Sequence, residues 1–211
     1  MTAEQIVRVR DALLGWGTRN YQSYSWRTAE TPWEAMIAEV LLQRTNAKHV
    51  ETYWKEVLEL LPTPGAMSAV NAEQLSSIEN RFGFSRRSKT LRAIADYFVA
   101  HTVPLYEELI ELYGVGHYTA AAFLSLHMGQ RAVLVDSNIS RWLARMTNQE
   151  VPEDPRRADW LFELAEQMTP DANFKAYNYA VLDFTMQVCV RRSPRCDKCP
   201  IAQDCRWFQE I

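Results

Sequence analysis

Leu112-Tyr113-Gly114-Val115-Gly116-His117-Tyr118-Thr119 is the stretch around which the chain is organised, together with Asp136, 18 residues beyond Tyr118. Upstream, residues 104–112 have helical spacing, with Leu105, Leu109 and Leu112 apolar. Gly114 and Gly116 interrupt that spacing, and glycine tolerates a left-handed backbone or a close approach to a ligand. A second helix is expected from near His117 through the alanines at 120–122, a composition that favours helix. The free amide N–H groups at such a helix start carry partial positive charge and fit a backbone phosphate. Two helices joined by Gly-Val-Gly therefore read as a helix-hairpin-helix that grips nucleic acid by its backbone. An ordinary helix–helix turn would use the same glycines.

Composition narrows the class. At 211 residues the chain can bury a real core, as one large or two small domains. No apolar run is long enough to span a bilayer, and residues 1–10 carry charges throughout with no signal-like apolar core. No membrane partner and a cytoplasmic location are expected. The net charge of −3 counts mildly against a nucleic-acid partner. It is a whole-chain sum, however, and a local basic face can coexist with it. Glycine and proline are sparse and helical spacing outnumbers alternation, so the expected class is all-α.

In chain order, residues 1–20 read as one amphipathic helix with Ile6, Val9, Leu13 and Leu14 on one side. Thr31-Pro32-Trp33-Glu34 is a strong helix start: Thr31 can cap, Pro32 suits the first helical position, and Glu34 would complete a capping box. In that helix Glu39 borders the apolar stripe of Trp33, Met36, Ile37, Val40 and Leu41, and Gln43 lies one turn beyond. A carboxyl bordering an apolar face is partly desolvated and could hold a proton near neutrality. A solvated helix glutamate, paired with an Arg or Lys, is the plainer reading. Helices are expected near 46–61, 72–81 and 88–101. Between the last two, Arg81-Phe82-Gly83-Phe84-Ser85-Arg86-Arg87 offers cations for phosphates and aromatics for bases, or simply a solubilised loop. Asp136 precedes a helix over 139–146, where it can serve as N-cap and as a functional carboxylate at once. Asp154-Pro155 is expected to start another helix, and residues 174–188 the last long one. Asp183, within that last helix, reads as solvated or paired.

All four cysteines lie in the last 23 residues, as Cys189-x6-Cys196-x2-Cys199-x5-Cys205. In a cytosolic chain such a compact set builds a metal site rather than disulfides. Four thiolates fit zinc or a [4Fe–4S] cluster, although a zinc ribbon usually has two C-x2-C pairs and here there is one. Arg191, Arg192, Arg195 and Lys198 surround them, a local positive patch that the net charge conceals.

Together, the Gly-Val-Gly hairpin, Asp136 and the cysteine tail resemble the endonuclease III superfamily of DNA glycosylases. The resemblance runs from Trp26-Arg27 to Cys205. It implies two helical domains with an active-site cleft between them. Residues 23–132 would form a six-helix domain carrying the helix-hairpin-helix (about 104–127), and 1–22 plus 133–211 the cluster domain. It implies a [4Fe–4S] cluster on Cys189, Cys196, Cys199 and Cys205, and Asp136 as the catalytic carboxylate. Position 118 decides the chemistry in this superfamily. The bifunctional members have a lysine there, whose amine attacks the sugar C1′ to form a Schiff base. Tyr118 cannot do so, which implies a monofunctional enzyme that leaves an abasic site.

Two monofunctional branches compete. Glu39-Val40-Leu41-Leu42-Gln43-Arg44-Thr45 is similar to a segment of the adenine glycosylases that act opposite guanine or oxidised guanine, in which the Glu protonates the base. Those enzymes add a C-terminal domain, whereas this sequence ends soon after Cys205. The G·T and G·U mismatch thymine glycosylases have a closely similar segment, a tyrosine in the hairpin, and a pattern like Tyr177-Asn178-Tyr179-Ala180-Val181-Leu182-Asp183-Phe184. The thymine/uracil branch is favoured, and Gln43, where that branch has Arg, keeps adenine open.

The expected mechanism extrudes the target nucleotide from double-stranded DNA containing a mismatched or damaged base. Asp136 would stabilise the oxocarbenium-like sugar and orient water, Glu39 would protonate the departing base, and Tyr118 would position base or sugar. The expected DNA contacts are Gln43, Arg44, Phe84, Arg86, Arg87, Gly114, Gly116, His117 and Asn138, with Gln43 and Phe84 filling the vacated space. The hairpin amides would hold a phosphate, with a monovalent cation as a bridge. A monomer associated with the nucleoid is expected. The competing class is a non-catalytic DNA-binding module, which needs the glycines but not Glu39, Tyr118 and Asp136 together.

Overall fold

The computed structural model describes residues 1–83, 87–151, 153–154 and 158–210. Phe84 and Arg86, two of the expected DNA contacts, lie outside the described residues, as does Pro155. Among the described residues the regular elements are helices, with no strand. None is long and apolar enough to cross a membrane. The chain divides into two compact units, one of residues 23–128 and one of residues 1–22 with 129–211.

The first of these contains α2 (Pro32–Leu42), α3 (Ala47–Leu60), α4 (Pro64–Ala69), α5 (Ala72–Phe82), α6 (Ser88–Ala100), α7 (Tyr106–Leu109) and α8 (His117–Leu126). α2 starts where Thr31 accepts from the Glu34 amide at 3.2 Å and Pro32 opens the first turn. The capping box forms only by half. Glu34 reaches one residue further back and accepts from the Glu30 amide at 2.8 Å. The helix is buried nearly all round, over residues 35–41, because α3, α6 and α8 pack against it. α8 is buried over 119–126. Each large apolar side chain so buried contributes about 1.5–3 kcal/mol. Trp33 adds a bond from its indole N–H to the Leu61 carbonyl at 2.8 Å.

One expectation needs correction here, and one helix was not expected. The helix expected over 104–112 is the single turn α7, followed by turns up to Gly114, since Glu111 and Leu112 donate to carbonyls only three residues back. The short α4, capped by Thr63 and opened by Pro64, was not anticipated. It packs on α6, where Arg92 donates to the Ser68 and Val70 carbonyls at its end.

The other unit contains α1 (Ala3–Asn20), α9 (Ser137–Thr147), α10 (Asp159–Met168), α11 (Phe174–Gln187) and α12 (Arg206–Gln209). α1 lies along α11, and Gly17 makes the close approach possible: a Cβ there would sit 2.6 Å from the Ala180 Cβ. Phe184 of α11 meets Trp16 and Trp142 edge-on, at centroid distances of 5.7 and 6.2 Å. Asp183 is fully buried and accepts from the Gln22 amide at 3.0 Å, so it belongs to the core of this unit rather than to a solvated face. Of the helix expected from Asp154, the described part is α10, from Asp159, and Asp154 sits in a bend.

Candidate functional site

Asp136 caps α9. Its Oδ1 accepts from the backbone amides of Asn138 at 2.8 Å and Ile139 at 2.7 Å, as an aspartate N-cap does. Oδ2 accepts one bond, from the Asn138 side-chain amide at 3.2 Å. The carboxylate is half-buried and its Oδ2 retains capacity to accept more. Asn138 is itself held. Its Oδ1 accepts from Arg141 at 3.0 Å, and the same guanidinium donates to the carbonyls of Thr185 at 3.1 Å and Cys189 at 2.9 Å. Burial lowers the Arg141 pKa, and the nearby Arg145 guanidinium adds to the effect. Asp136, Asn138 and Arg141 thus form a bonded line ending at the first cysteine. Arg141 is absent from the expected contacts; its i+3 spacing from Asn138 was the only available signal.

In the other unit the hairpin runs from α7 to α8. Gly114 takes the left-handed backbone (φ 78°) and packs against Thr90 of α6 so closely that a Cβ would lie 2.0 Å from the hydroxyl. Gly116 is the α8 N-cap, and no side chain caps the amides that follow. Those amides can therefore take an anion. His117 is exposed and its Nδ1 pairs with the Tyr106 hydroxyl at 2.9 Å. Tyr118, on the first turn of α8, is half-buried.

Gln43 does not project freely: its side-chain amide donates to the Gly114 carbonyl at 3.0 Å and the Thr119 hydroxyl at 3.2 Å. Arg87 also turns inward, donating to the Leu41 carbonyl at 2.9 Å and the Thr45 hydroxyl at 2.7 Å, and so closes the end of α2. Arg44, between the anchored Gln43 and the Thr45 that Arg87 holds, is exposed and takes φ 55°. A non-glycine residue in that region is uncommon and is held there by its surroundings. Glu39 is buried, and its Oε1 lies 3.0 Å from the His127 Nε2. His127, at the end of α8, has no mark in the sequence that ties it to Glu39.

The four cysteines are free thiols and line one pocket together with Trp142, Arg145, Phe184 and Trp207. Among the described residues no three His, Cys, Asp or Glu side chains are placed to hold a metal ion. Burial pushes the Cys199 thiol up to about 12, and those of Cys196 and Cys205 also rise, with the neighbouring cysteines adding to the effect. Arg145 supplies positive charge, donating to the Cys189 sulfur at 3.4 Å and the Val190 carbonyl at 2.8 Å, with its guanidinium over the Trp207 ring. Arg191, Arg192, Arg195 and Lys198 are exposed on the same loop.

Comparison with known proteins agrees with these features. The chain is 27% identical to the thymine/uracil-DNA glycosylase of Methanothermobacter thermautotrophicus, over 97% of this chain and 94% of that one. It is 31% identical to the adenine DNA glycosylase of Mycobacterium tuberculosis, over 92% of this chain and 66% of that one. The fold superposes on a thermostable thymine-DNA glycosylase with a TM-score of 0.90 at 24% identity, covering 99% and 98% of the two chains. Residues 37–183 match the HhH-GPD superfamily base excision DNA repair protein family, a span from α2 through the hairpin and Asp136 to α11. The chain therefore belongs to the HhH-GPD superfamily of base excision DNA repair proteins, and it is a DNA glycosylase that hydrolyses N-glycosidic bonds.

Proposed function

We propose that this glycosylase removes thymine or uracil mispaired with guanine in double-stranded DNA and leaves an abasic site without cutting the strand. The observation that carries the reading is the chemistry at two positions. Tyr118, on the first turn of α8, offers no amine to trap the sugar. Asp136 offers a carboxylate held by three N–H donors, with Oδ2 able to accept more. The near full-length similarity to a thymine/uracil-DNA glycosylase supports the choice of base.

A base must leave the stack before its glycosidic bond can be reached, and a mismatched base leaves more cheaply. The Asp136 carboxylate stabilises the oxocarbenium-like sugar and orients the water that adds to C1′. Glu39 supplies the proton that the departing base takes up. The uncapped amides of α8 hold a phosphate, and His117 and Arg44 add contacts on the exposed surface. Of the hairpin carbonyls, those of Leu112 and Gly114 each accept one bond and keep a lone pair for a monovalent cation. Gln43 and Arg87 act chiefly by holding the turn that presents Arg44, and Asn138 by orienting Asp136.

Cys189, Cys196, Cys199 and Cys205 would hold a [4Fe–4S] cluster, since four free thiols around one pocket beside an arginine are its donor set. Bound there, such a cluster would fix the shape of the loop on which Arg191, Arg192, Arg195 and Lys198 are exposed, ready to meet the DNA backbone.

The 31% identity to an adenine DNA glycosylase, together with Glu39 and Gln43, favours a second reading, removal of adenine opposite guanine or oxidised guanine. A panel of duplexes carrying G·T, G·U, A·G and A opposite oxidised guanine separates the two. Alkali-dependent cleavage at thymine or uracil is expected, and cleavage confined to adenine duplexes would replace the first reading by the second.

A further inference from the structure

Glu39 and His127 are 88 residues apart in the chain and meet in the structure through Oε1 and Nε2 at 3.0 Å. Their side chains are 5% and 4% exposed. Two ionisable groups removed together from water are a weak way of holding helices, since an apolar pair of similar volume commonly does so as well or better. The fold does not need this pair as a tie. α2 and α8 bury long apolar runs, and Gln43 already links the end of α2 to the start of α8 through Thr119. What the pair adds is chemical. A carboxyl oxygen and an imidazole nitrogen at hydrogen-bond distance are placed to share one proton, which the carboxyl group can pass on.

We propose that His127 is a positioning residue for Glu39: its Nε2 fixes the carboxyl group and shares the proton that Glu39 delivers to the departing base. This rests on the glycosylase reading given above, with Glu39 as the acid. When the C1′–N bond breaks, its electron pair stays on the base. The proton held by the pair passes to that base through Glu39. Glu39 is left as a carboxylate and His127 as a neutral imidazole. Water adds its oxygen to C1′, and the proton it releases restores the pair, so atoms and charge balance over one turnover.

A proton donor matters most for a poor leaving group, whereas a merely structural residue would slow every base alike. The test is single-turnover excision by the full chain on duplexes carrying thymine, uracil or 5-fluorouracil opposite guanine. His127→Leu and His127→Gln are compared, with mismatched-duplex affinity and thermal unfolding measured alongside. Loss of the shared proton should slow thymine release by His127→Leu about tenfold or more, and 5-fluorouracil release only about twofold. Affinity for the mismatched duplex should stay within about twofold, because base release and binding use different groups. His127→Gln keeps an N–H donor but cannot carry the proton. It should restore thermal stability yet keep the dependence on leaving group, and it serves alone if His127→Leu does not fold. Equal slowing of all three bases, or no slowing, overturns the role of His127 while leaving the glycosylase reading intact. Failure of the unaltered protein to release any of the three removes that reading, and this inference with it.

Discussion

Arg141→Leu tests whether the cysteine loop helps to orient Asp136, the carboxylate proposed above to stabilise the sugar. The guanidinium donates to Asn138 Oδ1 at 3.0 Å, Thr185 O at 3.1 Å and Cys189 O at 2.9 Å. Bonds from a charged donor contribute about 1.5–3 kcal/mol each before the guanidinium's own desolvation is set against them. That desolvation is real here, since burial already lowers the Arg141 pKa. A net loss of about 2–4 kcal/mol follows, since the leucine leaves three acceptors without their donor. For a chain of this size that lowers Tm by about 5–15 °C. The effect on turnover should be smaller than the loss of Asp136 itself. Oδ1 stays held by two backbone amides, and only the Asn138 side chain facing Oδ2 loses its anchor. We expect single-turnover excision to fall about tenfold, the scale of a misaligned catalytic group. Arg141→Lys should recover part of the stability and little of the rate, because one ammonium cannot span the same fork. Thermal unfolding by circular dichroism and single-turnover excision read the two effects separately. A lowered Tm with a rate within about twofold of the unaltered protein would refute the link from Cys189 to Asp136.

Gly114→Ala should weaken duplex binding and cost about 1–3 kcal/mol of stability, since the added Cβ meets Thr90 on a left-handed backbone, and Thr90→Ala should relieve only the clash. Cys199→Ser should lower bound iron and the visible absorption of the purified protein, along with duplex affinity, and iron content equal to the unaltered protein would count against the four-thiol pocket as its site. Tyr118→Lys should gain strand nicking through an adduct that borohydride traps on DNA, and the absence of any trapped species would argue that position 118 does not reach the sugar.

The hairpin was legible because glycine is demanded where the chain turns left-handed against Thr90. The helix starts at Thr31 and Asp136 were legible because caps are local chemistry, read within three or four residues. Local chemistry also has limits, as Glu34 shows by reaching Glu30 instead of Thr31. The six-residue α4 carries too few positions to display a period. The polar contacts that join distant segments were not legible at all. Nothing near Glu39 announces His127, nothing near Gln43 announces Gly114, and nothing near Arg141 announces Cys189. Gln43 and Arg87 look like surface contacts in sequence because a polar side chain gives no sign of whether its partner is solvent, DNA or a carbonyl of its own chain.

Asp136→Asn is the most direct measurement of the account. The amide is nearly isosteric and its oxygen can keep the cap on the Asn138 and Ile139 amides, while the negative charge proposed to face the developing sugar cation is removed. Single-turnover release of thymine or uracil from a guanine mismatch should become undetectable, with affinity for the same duplex retained. Turnover equal to that of the unaltered protein would contradict the claim that this carboxylate performs the chemistry.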